Sequence, residues 1–255
     1  MSVLPREGRW IEPFMGTGVV GFNSGFYNAV LSDINPHIIR FYQALRDGGV
    51  SEGSVREYLE RESVALSGSG DGQQRYREVR ERFNKEGDPH DFLFLSRACF
   101  NGLMRFNRKG GFNVPFCKKP ERFSKAYIAK IANQVKAVSL ICKGWEFNLE
   151  GFRDSLKRAG EGDVVYCDPP YSGRNSDYFS SWSEEDDDDL IRCLSETKAK
   201  VAVSSWHHDS RKDNPFIRKF GDGFTVLTKE HFYHVSGKAE GRSGVTEALI
   251  INFIP

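Results

Sequence analysis

The order of elements near the N-terminus constrains the fold more than any other feature of the sequence. An apolar run that ends at Glu12 is followed by glycines at positions 16, 18 and 21 and by a second apolar run. The next apolar segment, Ala29–Ser32, ends at Asp33. A strand, a glycine-rich turn, a helix and a strand ending in an acid open a doubly wound sheet that binds a nucleotide. We therefore predict a Rossmann-like α/β fold.

The glycine-rich turn alone leaves its ligand open. Gly16 and Gly18 allow the backbone to approach a ligand closely, and Asp33 follows at a spacing suited to an acid that contacts ribose hydroxyls. A dinucleotide, S-adenosylmethionine and a tight turn without a ligand all fit this pattern.

A second motif, Asp168-Pro169-Pro170-Tyr171, ends a predicted strand, at the sheet edge where ligands bind in open α/β folds. Each proline fixes its φ angle and lacks an N–H group, so the Asp168 carboxylate and the Pro169 carbonyl are two fixed acceptors. They suit the exocyclic amino group of a planar base such as adenine, with Tyr171 stacking on the base. The alternative is an ordinary strand-ending turn.

The two motifs together favour one ligand of the turn. Two acceptors on the N–H groups of adenine N6 draw this nitrogen toward tetrahedral geometry and free its lone pair for attack on a carbon electrophile. S-adenosylmethionine supplies such a carbon, with a leaving group that needs no metal. A nicotinamide-dependent oxidoreductase would leave the proline motif without a purpose.

Between the motifs the apolar spacing becomes helical, over residues 37–47, 55–66, 74–86 and 91–103. The α/β pattern resumes later, with predicted strands at 138–142, 163–170, 201–205, 224–228 and 247–253, and a helix over Ser183–Leu194 with Ser183 as its N-cap. We therefore predict a catalytic domain formed by residues 1–36 and 136–255, interrupted by an inserted, largely helical domain formed by residues 37–135.

Residues 105–130 are strongly basic, with eight Lys or Arg against one acid, and Gly110-Gly111 predicts a hairpin turn. Arg105 could contact a guanine, and Leu103 or a phenylalanine could fill the stack after a base leaves it. Other cations of the segment would neutralise phosphates: Lys109, Lys118, Lys119, Arg122 and Lys125. The alternative is a solvated basic loop whose phenylalanines belong to the core.

These motifs resemble those of the Dam-type DNA adenine-N6 methyltransferases of bacteria and phages, and the likeness covers most of the chain. The similar segments are EPFMGTG at 12–18, LSDIN at 31–35, NGLMRFNRKGGFNVPF at 101–116, VVYCDPPY at 164–171 and GVTEALIINF at 244–253. The resemblance implies a methyltransferase sheet with an inserted helical and hairpin DNA-recognition domain (residues 37–135), and methylation of a flipped-out adenine in double-stranded DNA, commonly within GATC.

The resemblance also implies roles for three groups of residues. The first binds S-adenosylmethionine: Phe14, Gly16, Gly18, Asp33, Ile34, Phe147 and Asp168. The second forms the catalytic pocket for the target adenine: Asp168, Pro169, Pro170 and Tyr171. The third reads or wedges into the DNA: Asn101, Leu103, Arg105, Asn113 and Pro115.

One departure from the family keeps other functions open. Family members usually carry an aromatic-x-Gly-(Gly or Asn)-Lys signature before the glycine-rich turn, and the eleven residues before Glu12 do not contain it. A DNA-binding relative with impaired catalysis is therefore one alternative. A methyltransferase acting on cytosine N4 or on RNA adenine is another.

The remaining expectations concern metals, membranes and location. The cysteines lack CxxC spacing, and the His207-His208-Asp209 run shows no third ligand, so we expect no metal site. No apolar stretch approaches the roughly 18 residues that span a bilayer, and the N-terminus lacks the apolar region of a signal peptide. We expect a soluble, monomeric protein in the cytoplasm of a bacterial or phage-infected cell.

Overall fold

The computed structural model describes residues 7–67, 72–107, 109–171, 182–208, 212–232 and 244–254. Its strands are β1 (Trp10–Glu12), β2 (Ala29–Asp33), β3 (Glu146–Leu149), β4 (Val164–Cys167), β5 (Lys200–His208), β6 (Thr225–Phe232) and β7 (Gly244–Ile251). They form a seven-stranded sheet in the order β3-β2-β1-β4-β5-β7-β6.

The sheet is parallel through its centre and antiparallel at one end. Strand β1 pairs in parallel with β2 on one side and with β4 on the other, and β4 pairs in parallel with β5. Strand β7 is antiparallel to both β5 and β6. The chain order therefore reverses direction between β1 and β4, and in open α/β sheets ligands bind at the carboxyl ends of the strands beside such a reversal. The predicted Rossmann-like α/β fold is confirmed.

The central strands are apolar because they are buried on both faces, as parallel strands usually are. A core cluster joins Ile11, Val165 and Val203 of the sheet to apolar residues of two helices, α7 (Phe152–Lys157) and α8 (Glu184–Glu196). Helix α8 begins as predicted, because Ser183 and Asp186 form a reciprocal capping box. A short helix, α1 (Val19–Phe22), follows the glycine-rich turn.

Five longer helices form a separate core: α2 (Pro36–Arg46), α3 (Glu52–Ser67), α4 (Gly72–Glu86), α5 (Pro89–Ala98) and α6 (Lys125–Ile141). Two buried carboxylates in this core are paired: Glu62 with Arg75, and Asp91 with Arg82 and the Tyr58 hydroxyl. Among the helices that the structure describes, none combines the length and the apolar character that crossing a membrane requires.

The chain divides into two compact units, which we call the sheet unit and the helical unit. The sheet unit contains the described residues up to Asp33 and from Asn148 onwards, and the helical unit is Ile34–Phe147. The boundary predicted at 135/136 falls inside α6, whose buried face runs from Ile128 to Val135 against the helical core. The second boundary of the structure therefore follows Phe147.

The strand predicted at 138–142 is wrong. Residues up to Ile141 continue helix α6, and a short 3-10 helix, Cys142–Gly144, follows it. Leu140 and Ile141 are exposed, although they looked like core residues of a strand. A run of five residues of which four are apolar does not distinguish a strand from the end of a helix. The strand in this part of the chain is β3, which begins at Glu146, four residues after the predicted strand ends.

Candidate functional site

The two predicted motifs begin at the ends of neighbouring strands. Glu12 ends β1 and leads into the glycine-rich turn, while Cys167 ends β4 and leads directly into Asp168. These strands are parallel and adjacent, with Ile11 opposite Val165, so their carboxyl ends open on the same edge of the sheet. The structure therefore brings the glycine-rich turn and the proline motif to the reversal point of the sheet.

The glycine-rich turn has a backbone that other residues adopt only with strain. Gly16 and Gly18 have φ angles of 47° and 68°, and a Cβ on Gly18 would lie 2.6 Å from the Phe22 ring. Among the described residues, no atom lies within 4 Å of a Cβ built on Gly16, so they leave space above the turn. The Gly16 N–H donates to Asp33 Oδ2 at 2.9 Å. This bond holds the acid at the end of β2 beside the turn.

Glu12, beside this turn, is a buried acid. Nothing in the sequence indicated that its pKa would be shifted. It is 2% exposed, and one of its carboxyl oxygens accepts a hydrogen bond from Trp10 Nε1 at 2.8 Å. Burial raises the pKa of Glu12 to about 8; hydrogen bonds from Trp10 and Gly21 oppose this rise, and the charges of Asp168 and Asp33 add to it. Glu12 is therefore largely neutral at pH 7, whereas a surface glutamate is charged.

The proline motif places an exposed acid on a rigid turn. Asp168 is exposed, Pro169 is buried, and Pro170 and Tyr171 are half-buried. Although the Asp168 side chain reaches solvent, desolvation by the surrounding protein raises its pKa; a hydrogen bond with Ser204 opposes this, and the charge of Glu247 adds to it. A carboxylate with a raised pKa is a stronger hydrogen-bond acceptor, which suits the binding of an amino group.

Ser204 is a site residue that the sequence analysis missed. It lies on β5 next to the end of β4, where Cys167 pairs with Val203. The Tyr166 hydroxyl donates to Ser204 Oγ at 2.9 Å, so the serine that bonds Asp168 is itself oriented from β4. Only the pairing register of β4 and β5 identifies this serine among the other serines of the chain.

Phe14 packs against two aromatic side chains, Phe152 and Trp182, that the sequence did not indicate as site residues. Its ring stacks on Phe152 at a centroid distance of 5.6 Å and meets Trp182 edge-on at 5.5 Å. Trp182 is anchored in turn, because its Nε1 donates to Oδ1 of the buried Asp187 at 2.7 Å. The position of Phe14 in the turn therefore depends on two rings that are far away in the sequence.

The two remaining predicted cofactor residues lie in the helical unit. Ile34, which follows Asp33, is 43% exposed. Phe147 is only 2% exposed, and its ring stacks on Tyr42 at 5.5 Å. The Phe147 carbonyl accepts a hydrogen bond from Gln43. Their roles in cofactor binding stay predictions.

The predicted hairpin is present in the helical unit. Phe106 and Phe112 form an antiparallel bridge, and Asn107 exchanges backbone hydrogen bonds of 2.8 Å with Gly110 and Gly111 across the turn. Phe112 and Val114 point into the core. The predicted DNA-binding residues all have exposed side chains: Asn101, Leu103, Arg105, Lys109, Asn113, Pro115, Lys118 and Lys119.

The turn before the hairpin presents two large apolar side chains to solvent. Phe100 is 55% exposed and Leu103 is 70% exposed. The intervening Asn101 and Gly102 both have left-handed backbones, with φ angles of 55° and 69°. Arg122 donates from Nη1 to the carbonyls of Arg97 and Cys99 and so holds this turn, while its predicted contact with phosphates stays a prediction. Phe100 joins Leu103 as a candidate wedge.

The adjacent histidines bond to each other and to a threonine. Their Nδ1 atoms are 2.9 Å apart, and Nε2 of His208 lies 3.2 Å from Thr246 Oγ1. Asp209, the acid that follows them, lies outside the described residues. Within the described ranges, no group of three or more His, Cys, Asp or Glu side chains could hold a metal ion.

Comparisons with known proteins agree with this arrangement. Residues 1–235 match the family of D12 class N6 adenine-specific DNA methyltransferases. A DNA adenine methylase of Vibrio cholerae is 29% identical, over 97% of this chain and 88% of its own length. The DNA adenine methylase of Escherichia coli K12 is 35% identical over 66% of this chain and 58% of its own length. A DNA N-6-adenine-methyltransferase of Escherichia phage P1 is 34% identical over 72% of this chain and 23% of its own length.

Proposed function

The chain belongs to the D12 class of N6 adenine-specific DNA methyltransferases, and we propose that it takes the methyl group from S-adenosylmethionine and acts on an adenine flipped out of double-stranded DNA. The observation that carries the proposal is that the two motifs follow adjacent parallel strands. The turn hydrogen-bonded to Asp33 follows β1, and the proline motif that begins at Asp168 follows β4. A donor held by the first would lie beside an amine held by the second.

The residues of the glycine-rich turn suit this methyl donor. When bound, S-adenosylmethionine supplies a methyl carbon on a positively charged sulfur, which is an electrophile with an activated leaving group. Gly16 leaves the backbone open to close approach, Gly18 allows the left-handed turn beside it, and the Asp33 carboxylate accepts hydrogen bonds from the ribose hydroxyls. Phe14 bounds the pocket of the methionine part, with Ile34 and Phe147 assigned to the adenine ring.

The proline motif prepares the amine for attack. The Asp168 carboxylate and the Pro169 carbonyl accept the two N–H groups of adenine N6, which frees the nitrogen lone pair, and Tyr171 stacks on the base. The raised pKa of Asp168 strengthens its hydrogen bond to N6. The protein contributes position and electrostatic stabilisation, and no residue of the chain forms a covalent bond.

We assign DNA binding to the hairpin. Lys109, Lys118 and Lys119 neutralise phosphates, which makes affinity dependent on salt concentration. Arg105 makes a bidentate contact to a guanine of the site, for which GATC is the proposed sequence. Leu103 and Phe100 fill the space that the flipped base leaves, and this offsets part of the few kcal/mol that flipping costs.

The test is the variant Asp168→Asn, which keeps the shape of the side chain and removes its charge. We expect methylation of duplex DNA to fall at least about 100-fold, by analogy with the loss of one preorganised hydrogen-bonding group in other active sites. Calorimetry should show S-adenosylmethionine binding within a few-fold of the parent chain. The exposed Asp154, which pairs with Lys157 on α7 of the same unit, provides the control variant Asp154→Asn.

Three outcomes would contradict parts of the proposal. Normal turnover of Asp168→Asn would exclude the mechanism. Preferred methylation of cytosine N4 or of RNA adenine, measured on matched oligonucleotides, would correct the substrate. An absence of S-adenosylmethionine binding to the parent chain would favour a DNA-binding relative without catalysis.

A further inference from the structure

His37, at the start of α2, packs against the hairpin. Its imidazole ring stacks on Phe106 of the hairpin at a centroid distance of 5.1 Å and an interplanar angle of 11°. Its Nε2 lies 3.2 Å from the carbonyl oxygen of Gly110, in the hairpin turn. On the other side, the ring contacts Phe83 of α4 at 4.7 Å. All of these residues belong to the helical unit.

These contacts hold the hairpin backbone that carries the exposed side chains of Arg105 and Asn113. Phe106 directly follows Arg105, whose carbonyl accepts the Asn113 N–H at 3.2 Å and whose Nε donates to Asn113 Oδ1 at 3.3 Å. The Gly110 carbonyl belongs to the turn that joins the two arms. His37 therefore holds both an arm and the turn of the element that presents Arg105 and Asn113.

We propose that His37 is a positioning residue that determines how sharply the hairpin discriminates between DNA sequences. The proposal rests on the proposed function, because it takes the hairpin as the element that reads the site. A side chain that contacts a base edge must be held within a fraction of an ångström to favour one base over another, whereas phosphate contacts tolerate more movement. Loss of His37 therefore lowers discrimination more than it lowers DNA binding.

The geometry and the burial of the ring favour the neutral imidazole. A carbonyl only accepts, so Nε2 carries the hydrogen that bonds Gly110, and the buried Nδ1 has no hydrogen-bond partner among the described residues. A second proton would sit on this buried nitrogen. Burial lowers the pKa of His37 below its ordinary 6.5, the bond to Gly110 opposes this, and the charge of Arg40 on the same helix adds to it.

Among the described residues that contact the His37 ring, none carries a negative charge that would favour its protonated form. Arg40 is the charged group that acts on it from α2. The α4 helix presents the Phe83 ring, and the hairpin presents the Phe106 ring and the Gly110 carbonyl. The neutral imidazole is therefore the form that supports the hairpin at pH 7.5.

The experiment compares methylation of the cognate duplex with methylation of duplexes carrying single-base changes beside the target adenine. The cognate site is first identified by sequencing N6-methyladenine in DNA from cells that express the chain. Rates are measured at pH 7.5 for the parent chain, for His37→Phe, which keeps a ring and loses the bond, and for His37→Gln. The control is His90→Gln, since His90 is a half-buried histidine of the same unit that bonds Ser54 instead.

We expect His37→Phe to discriminate about five- to tenfold less than the parent chain at pH 7.5, as the loss of one ring contact or hydrogen bond predicts. His37→Gln should also discriminate less than the parent chain, because it has no ring to stack on Phe106. His90→Gln should behave like the parent chain.

Equal discrimination by the parent chain and both His37 variants, with similar melting temperatures, would overturn the proposal. If both variants fail to fold, Phe106→Leu removes the same ring contact from the hairpin side, and discrimination equal to that of the parent chain would then overturn the proposal. A parent chain that methylates all adenine duplexes equally would instead refute the assignment of the hairpin as a reading element. Loss of methylation in Asp168→Asn is independent of these results.

Discussion

Replacing Glu12 by glutamine should stabilise the protein, and the gain should grow with pH. The Glu12 carboxyl group is buried against Trp10 and Gly21, and burial raises its pKa to about 8 from the ordinary 4.5. Glutamine has the same shape, and its carbonyl oxygen still accepts the Trp10 N–H. The variant removes the need to keep a proton on this side chain in the folded state.

The pH dependence of the free energy of unfolding follows from the number of protons bound in the folded and unfolded states. Between pH 4.5 and pH 8 the folded protein holds a proton on Glu12 that the unfolded chain has released, so the free energy of unfolding falls as the pH rises through this window. Each pKa unit corresponds to about 1.4 kcal/mol. The difference between Glu12→Gln and the parent chain should therefore grow by up to about 4 kcal/mol between pH 5 and pH 8.5.

Urea unfolding at a series of pH values measures this difference directly, because other titrating groups contribute equally to both proteins. The exposed Glu161 provides the control variant, Glu161→Gln, for which the difference should stay near zero across the series. A difference between Glu12→Gln and the parent chain that is constant from pH 5 to pH 8.5 would show that Glu12 is not held neutral, and would refute the reasoning.

Three further predictions concern close packing, the cofactor turn and the hairpin. Gly21→Ala would place a Cβ 2.6 Å from the Glu12 carboxyl group, and urea unfolding should show a loss of about 1–3 kcal/mol. Trp182→Phe removes the hydrogen bond to Asp187 while keeping an aromatic ring near Phe14. Steady-state kinetics should show a several-fold higher KM for S-adenosylmethionine with kcat nearly unchanged; a fall in kcat alone would contradict this. Arg105→Ala should lose about 1–3 kcal/mol of discrimination at one base pair in competition binding, with little change in nonspecific affinity.

Local patterns were enough to locate the elements that depend on residues near one another in the chain. The capping box of α8, the hairpin turn at Gly110-Gly111 and the strand that ends at Asp33 were all predicted from a few consecutive residues. The run at 138–142 was misassigned because Leu140 and Ile141 are exposed residues at the end of α6. Short apolar runs carry no information about the solvent exposure that decides such cases.

The sequence by itself determined the chemistry of this protein: a glycine-rich turn followed by an acid, a carboxylate on a proline-locked corner, and a basic hairpin. Tertiary structure alone decided how that chemistry is tuned. The raised pKa of Glu12, the bond from Ser204 to Asp168 and the support of the hairpin by His37 all depend on residues far apart in the chain. Burial, strand register and ring contacts are properties of the folded chain, and no pattern of neighbouring residues contains them.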